Sequence, residues 1–87
     1  MIYLDYSATT PVDSRVVDAM TPFFNASFGN PLSVHRFGQI AEAAIDSSRE
    51  SVARVLHCKP DEVIFTSCGS ESDNLAIRGA AYAMHEK

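Results

Sequence analysis

The stretch that most constrains the fold is residues 63–74, which read VIFTSCGSESDN. Residues 63–65 are β-branched or aromatic, and such residues suit a short buried strand. Gly69 permits a tight turn, and Ser70 with Asp73 three residues later forms a pair typical of a capped helix start. The pattern therefore predicts a strand, a short turn and the first turn of a helix.

This predicted turn has two interpretations. A strand followed by a helix start points free backbone N–H groups and the positive end of a helix dipole outward, which is the geometry that binds a phosphate. The alternative is an ordinary connection between a strand and a helix, since capping alone accounts for the residue types. The residues by themselves leave both interpretations open.

Composition indicates one small domain and argues against nucleic-acid and membrane partners. The chain has 87 residues, of which 46% are hydrophobic and 21% charged, with a net charge of −4, enough for one small domain. Its seven Lys and Arg residues are scattered, which argues against a nucleic-acid partner. We expect a cytoplasmic protein without a membrane partner, because no apolar run is long enough to span a bilayer. Cys58 and Cys68 match no zinc or redox spacing.

Two elements are predicted before the middle of the chain. Residues 2–4 form a strand candidate, followed by a hydroxyl-rich stretch at 5–11 that either lines a pocket or connects elements at the surface. Asp13 is placed to cap a helix that reaches about Phe24, and Pro22 inside this pattern predicts a kink.

Two longer helices follow. The first begins between Ser33 and Phe37 and ends near Leu56, with an apolar and a charged face, and Pro60 prevents its continuation. The second runs from about Ser70 towards the C-terminus. It is apolar on nearly all sides, with apolar residues at Leu75, Ala76, Ile77, Ala80, Ala81, Tyr82 and Met84.

The apolar last helix decides the predicted fold class. Such a helix requires partners on several sides, and a buried strand requires parallel neighbours. We therefore expect one piece of a larger α/β domain, with three helices, two short strands and an incomplete parallel sheet. Its segments are an arm with the first helix (1–34), the long helix and a turn (35–62), and a strand–turn–helix step (63–87).

Three motifs in order carry a family resemblance. They are YLDYSATTP at 3–11, FGNPLSVH at 28–35 and FTSCGSESDN at 65–74. Together they resemble the N-terminus of cysteine desulfurases of the NifS/IscS type. Those are fold-type I, pyridoxal-phosphate-dependent enzymes of the class V aminotransferase group, so the chain is expected to be the first piece of such a fold. The resemblance covers essentially the whole chain.

The resemblance implies a function and a site. The cofactor would be pyridoxal 5'-phosphate, with its phosphate bound by the backbone N–H groups of Gly69 and Ser70 and by the Ser70 hydroxyl. The parent enzyme would convert L-cysteine to L-alanine and an enzyme-bound persulfide, which supplies sulfur for iron–sulfur clusters or related acceptors. A homodimer and a sulfur-acceptor or scaffold partner are further implications.

The family's catalytic groups match nothing in this chain. Its cofactor-binding lysine and sulfur-accepting cysteine lie in later segments, and neither Lys59 nor Lys87 matches the lysine motif. No catalytic residue and no metal ligand is therefore assigned, and the 87-residue chain alone is predicted to be inactive. Cys68 matches the phosphate turn, where it is expected to be a small buried residue. The alternative is a reactive thiol, because a helix N-terminus lowers a thiol pKa.

Two other functions stay open at this stage. The chain could belong to another fold-type I enzyme, such as an aminotransferase or a lyase, and the later lysine and cysteine segments would separate these. It could also be a short non-enzymatic protein that binds a phosphate ligand or a partner subunit. The length of the intact reading frame would distinguish this last case.

Overall fold

Helices supply the regular structure of the protein. The computed structural model describes residues 1–85. Along the chain lie α1 (Ser14–Met20), α2 (Pro22–Asn25), α3 (Arg36–Leu56), a 3₁₀ turn (Pro60–Glu62) and α4 (Gly69–Met84). The chain divides into two compact units, Met1–Ser48 and Arg49–Lys87, with the boundary inside α3. The division into segments 1–34, 35–62 and 63–87 stays a prediction.

The two predicted strands are absent from residues 1–85, so the expected incomplete parallel sheet was wrong. Residues 2–4 have no regular structure. Val63 is extended, with φ −99° and ψ 120°, but its carbonyl oxygen accepts a hydrogen bond from the Arg49 side chain. A strand is defined by hydrogen bonds to a neighbouring strand. Val63 is therefore extended without a sheet, and residues 64 and 65 have no regular secondary structure.

The first predicted helix is confirmed, and its proline divides it. The Asp13 carboxylate caps α1 by accepting a hydrogen bond from the Arg15 backbone N–H at 2.8 Å. It also pairs with the Arg15 guanidinium at 2.7 Å, and this contact lowers the pKa of Asp13. Helix α1 ends at Met20 and α2 begins at Pro22, which is the position favoured for proline at the start of a helix.

Helix α3 has the predicted extent and a closed C-terminal end. The Cys58 N–H donates to the Ala53 carbonyl at 3.0 Å, and His57 adopts a left-handed backbone with φ 55°. Together these features form the common hydrogen-bonded termination of a helix, although glycine is the usual left-handed residue. Pro60 then starts the 3₁₀ turn, as expected from its inability to continue α3.

A close backbone contact fixes the start of α3. Gly38 is buried, and its Cα lies against the carbonyl oxygens of Ser33 and Asn30. A Cβ built on Gly38 would lie 2.7 Å from the Asn30 oxygen and closer still to the Ser33 oxygen. A Cβ on Gly29 would likewise collide with the Phe37 carbonyl. These two glycines let the loop before α3 lie directly against the first turn of the helix.

Few apolar side chains are buried. The buried hydrophobic residues among 1–85 are Ala41, Ala53 and Val63. The large apolar residues of α4 that the sequence predicts to require covering are exposed, with Ile77 at 71% and Tyr82 at 70%. The surfaces that need partners are therefore not covered within the part of the chain that the structure describes.

Within residues 1–85, no helix combines the length and apolar character needed to cross a bilayer.

Two glycines in helices give a matched test of the contact at the start of α3. Gly38→Ala should reduce helix content and stability, because the new Cβ meets backbone that cannot move aside easily. Gly79→Ala should raise helix stability by roughly 0.5–1 kcal/mol, since a Cβ at Gly79 meets nothing within 4 Å. Far-ultraviolet circular dichroism with urea unfolding measures both. An equal gain in the two variants would show that the Gly38 contact is not present.

Candidate functional site

The candidate site is the start of α4. Cys68 is the N-cap, with an extended backbone at φ −166° and ψ 171°, and Gly69 is the first helical residue. The Ser72 N–H donates to the Cys68 carbonyl at 3.1 Å, which begins the helical hydrogen-bond pattern. The prediction that Ser70 caps the helix with Asp73 was therefore wrong. Ser70 lies inside the first turn, so its hydroxyl is not needed as the cap.

Gly69 and Ser70, the predicted cofactor-binding residues, occupy the first two helical positions. Backbone N–H groups at these positions have no acceptor within their own helix, because the chain before them is not helical. Ser70 is exposed, and a Cβ built on Gly69 would meet nothing within 4 Å. Open space thus adjoins both residues at the positive end of the 16-residue helix.

Hydroxyl groups tie the preceding turn to α4. The hydroxyls of Thr66 and Ser72 lie 2.6 Å apart, and the Thr66 hydroxyl also donates to the Cys68 carbonyl at 3.2 Å. The Ser72 hydroxyl lies 3.3 Å from the same carbonyl oxygen, and since each hydroxyl has one proton, the three contacts share two protons. The backbone of the turn is therefore held in place by side chains on either side of it.

Glu71 closes the turn from within the helix. Its carboxylate accepts from the Ser67 N–H at 3.0 Å and from the Ser67 hydroxyl at 2.5 Å. These two bonds, the hydroxyl first, lower the pKa of Glu71. The ionised Glu71 carboxylate is the acidic group of this first turn, and its negative charge disfavours a bound anion. Its two hydrogen bonds to Ser67 partly neutralise that charge.

The Cys68 thiol is exposed, so the expectation that it is buried was wrong. Its pKa is lowered, first by the Glu71 backbone N–H and then by the Ser67 hydroxyl, which lies 3.7 Å from the sulfur. The Glu71 N–H stabilises the thiolate, as does the helix N-terminus, while the single Ser67 hydroxyl proton also serves the Glu71 carboxylate. Cys58 is half-buried at the other end of the connection.

The chemistry of the donor set fits a phosphate group. Two N–H groups at the start of a helix and one exposed hydroxyl are the donors that anions bind at such positions. The neighbouring Thr66, Ser67 and Ser72 hydroxyls are engaged within the turn and shape it. Gly69 and Ser70 are therefore the residues of this turn that could hold an anion.

The hydroxyl-rich stretch at residues 5–11 lies at the surface. All residues of the stretch 5–11 are exposed, and the Tyr3 hydroxyl donates to the carbonyls of Asp5 at 2.8 Å and Thr9 at 3.2 Å. This favours the surface connection over the pocket.

Among residues 1–85, no three His, Cys, Asp or Glu side chains lie together in a way that could hold a metal ion.

Sequence reasoning missed the residues that hold the turn, namely Thr66, Glu71 and Arg49. Glu71 is the third helical residue after the N-cap Cys68, the position from which a glutamate reaches back to the preceding turn. Arg49 is 14 residues from Val63, and nothing local in the sequence indicates that contact.

The comparison with protein families decides the affiliation. The model of the aminotransferase class-V family matches residues 2–87. The chain belongs to the aminotransferase class-V family. A solved structure titled NifS-like protein is 40% identical, with a TM-score of 0.91, over 98% of this chain and 23% of that one.

Curated relatives agree with this affiliation. The chain is 50% identical over 86 residues to a cysteine desulfurase IscS of Dictyoglomus turgidum, covering 99% of this chain and 22% of the relative. It is 56% identical over 81 residues to cysteine desulfurase IscS of Methylococcus capsulatus, covering 92% of this chain and 20% of that protein. A mitosomal cysteine desulfurase of Encephalitozoon cuniculi is 53% identical over 81 residues, with 92% and 19% covered. The chain thus spans about a fifth of the length of these relatives.

The lowered pKa of Glu71 predicts an acid-dependent loosening of the turn. The carboxylate bonds to Ser67 are present above the usual glutamate pKa of about 4.3 and are lost as the pH falls through the lowered value. The Ser67 amide proton, followed by NMR between neutral and acidic pH, should shift with that titration. Glu71→Gln, which still accepts hydrogen bonds but does not titrate, should abolish the shift. The same transition in both proteins would assign it to another group.

Proposed function

We propose that this chain is the N-terminal part of a pyridoxal 5'-phosphate-dependent cysteine desulfurase. The observation that carries the proposal is the identity of 50–56% to relatives named cysteine desulfurase, over 92–99% of the chain. The enzyme would act on L-cysteine, release L-alanine and retain the sulfur as a persulfide for transfer to an acceptor or scaffold protein. A homodimer in the cytoplasm belongs to the same proposal.

Within that enzyme, the start of α4 would be the phosphate anchor. Pyridoxal phosphate, when bound, supplies the electron sink for bond cleavage at the amino-acid substrate. The N–H groups of Gly69 and Ser70 and the Ser70 hydroxyl would donate hydrogen bonds to its phosphate. The supporting features are the open space beside Gly69 and the position of Ser70 inside the first turn of α4. These residues orient the cofactor and take no part in proton transfer.

Substitutions of Ser70 in the full-length protein test the anchor. Ser70→Ala should weaken cofactor binding about ten- to a hundredfold, since a lost hydrogen bond to a charged group costs roughly 1.5–3 kcal/mol. The turnover number at saturating cofactor should change little, because the phosphate is remote from the reacting carbon and its contacts stabilise ground and transition states alike. Titration followed by the cofactor's absorbance gives the affinity.

Two further variants at the same position serve as control and counter-test. Ser70→Thr keeps the hydroxyl and should bind cofactor almost as the parent does. Ser70→Asp places a negative charge in the first turn, where it favours the helix but repels a phosphate. Cofactor affinity in Ser70→Asp equal to that of the parent would rule out phosphate binding at this turn.

The chain of 87 residues should be inactive by itself. Its lysines are Lys59 and Lys87, and neither lies at the position that the family uses to hold the cofactor. Purified chain incubated with L-cysteine and pyridoxal phosphate should release sulfide no faster than cofactor alone, in contrast to the full-length protein. Faster release would mean that this chain itself contains catalytic groups. Reading the coding sequence beyond Lys87 for the lysine and cysteine segments tests the proposed parent directly.

A further inference from the structure

The segment that leads into the phosphate turn is held by a side chain of α3. Residues 63–65 are outside the helices, and no strand among residues 1–85 pairs with them. The Arg49 Nη1 donates a hydrogen bond to the Val63 carbonyl oxygen. The Arg49 Cζ also lies 5.0 Å from the centre of the Phe65 ring. One guanidinium therefore contacts two points of the segment.

These two contacts restrain different motions. A hydrogen bond to the Val63 carbonyl fixes how far the segment lies from α3. A cation over the Phe65 ring fixes the rotation of the segment about its own axis, because the ring face must stay towards the guanidinium. Arginine suits both tasks, since its planar group donates at its edge and stacks through its face. Arg49 is half-buried and Val63 is 9% exposed, so the hydrogen bond between them is partly shielded from water, whereas the Phe65 ring is 48% exposed.

The restrained segment joins the phosphate turn without a spacer. Phe65 is followed directly by Thr66, whose hydroxyl contacts the Ser72 hydroxyl and the Cys68 carbonyl. Displacement of Phe65 would therefore move Thr66 and with it the backbone that caps α4. The position of the Gly69 and Ser70 N–H groups depends on that cap.

We propose that Arg49 is a positioning residue for the phosphate turn, acting through its paired contacts with Val63 and Phe65. The inference rests on the proposed function, because it assumes that the turn before α4 binds the cofactor phosphate. Arg49 does not touch the ligand. It sets the approach of residues 63–68 to α4, and its loss should lower cofactor affinity by loosening the turn.

The experiment compares four variants of the full-length protein. Arg49→Met removes the charge and both contacts, and Arg49→Lys keeps the charge and one donor but loses the planar group. Arg54→Met is the matched control, since Arg54 is an exposed arginine near the end of the same helix. Ser70→Ala reports the direct phosphate contact. Two quantities are measured: cofactor affinity by absorbance titration, and amide hydrogen exchange of the protein without added cofactor.

Arg49→Met should weaken cofactor affinity about tenfold or more and speed amide exchange in residues 64–68 by a similar factor, because a hydrogen bond from a charged donor is lost. Exchange in α1 should stay unchanged, which a general loss of stability would not permit. Arg49→Lys should fall between Arg49→Met and the parent in both measurements. Arg54→Met should match the parent.

The outcomes separate this inference from the proposed function. Parent-like affinity and exchange in Arg49→Met, together with weakened binding in Ser70→Ala, would overturn the positioning role and leave the anchor in place. Parent-like affinity in Ser70→Ala would instead contradict the anchor, whatever Arg49 does to exchange. If Arg49→Met does not fold, Arg49→Lys decides: affinity and exchange equal to the parent's would overturn the role of Arg49.

Discussion

The extended backbone of Cys68 is the feature on which the start of α4 depends. Because Cys68 is not helical, the N–H groups of the next two residues have no acceptor in the helix. The Cys68 carbonyl meanwhile accepts from the Ser72 N–H and lies within hydrogen-bond distance of the Thr66 and Ser72 hydroxyls. One residue thus ends the connection, starts the helix and leaves donors available for a ligand.

Polar contacts fix much of the local structure of this chain, since few apolar side chains are buried among residues 1–85. Helix α1 is held at its start by Asp13 and Arg15, the turn before α4 by Glu71 and Ser67, and the extended segment by Arg49. The contacts of Asp13 and Glu71 join exposed groups and contribute little each, so they fix direction more than they add stability. The apolar faces of α3 and α4 are the surfaces from which a larger core would gain its free energy of burial.

The helices were predictable because their ends carry local signals. Asp13 and Pro22 set boundaries through capping and through the missing proline N–H, and the structure places helix ends within a residue or two of them. Pro60 starts the 3₁₀ turn, four residues after α3 ends at Leu56. A strand was wrongly predicted at residues 63–65, because a sheet requires hydrogen-bond partners that local propensity cannot supply. Propensity produced the extended geometry of Val63 and nothing more.

The helix start at the candidate site was predicted as a stretch but not in its details. The motif indicated a turn and a helix start at residues 66–70, and the helix does begin there. Which residue caps it depends on backbone angles: Ser70 and Cys68 are two residues apart, and only the extended angles of Cys68 distinguish them. The contact from Arg49 spans 14 positions and depends on how the chain returns after α3, which no short pattern encodes.

The closed end of α3 has a consequence for changes in chain length. Helix α3 has 21 residues, and Arg49 lies seven positions, about two turns, before its last residue, Leu56. Inserting or deleting one residue between them would rotate Arg49 by about 100° relative to the helix end that His57 and Cys58 close. The guanidinium would then point away from Val63. Length variation in this family should therefore be excluded from the last two turns of α3 and tolerated better in the exposed stretch at residues 5–11.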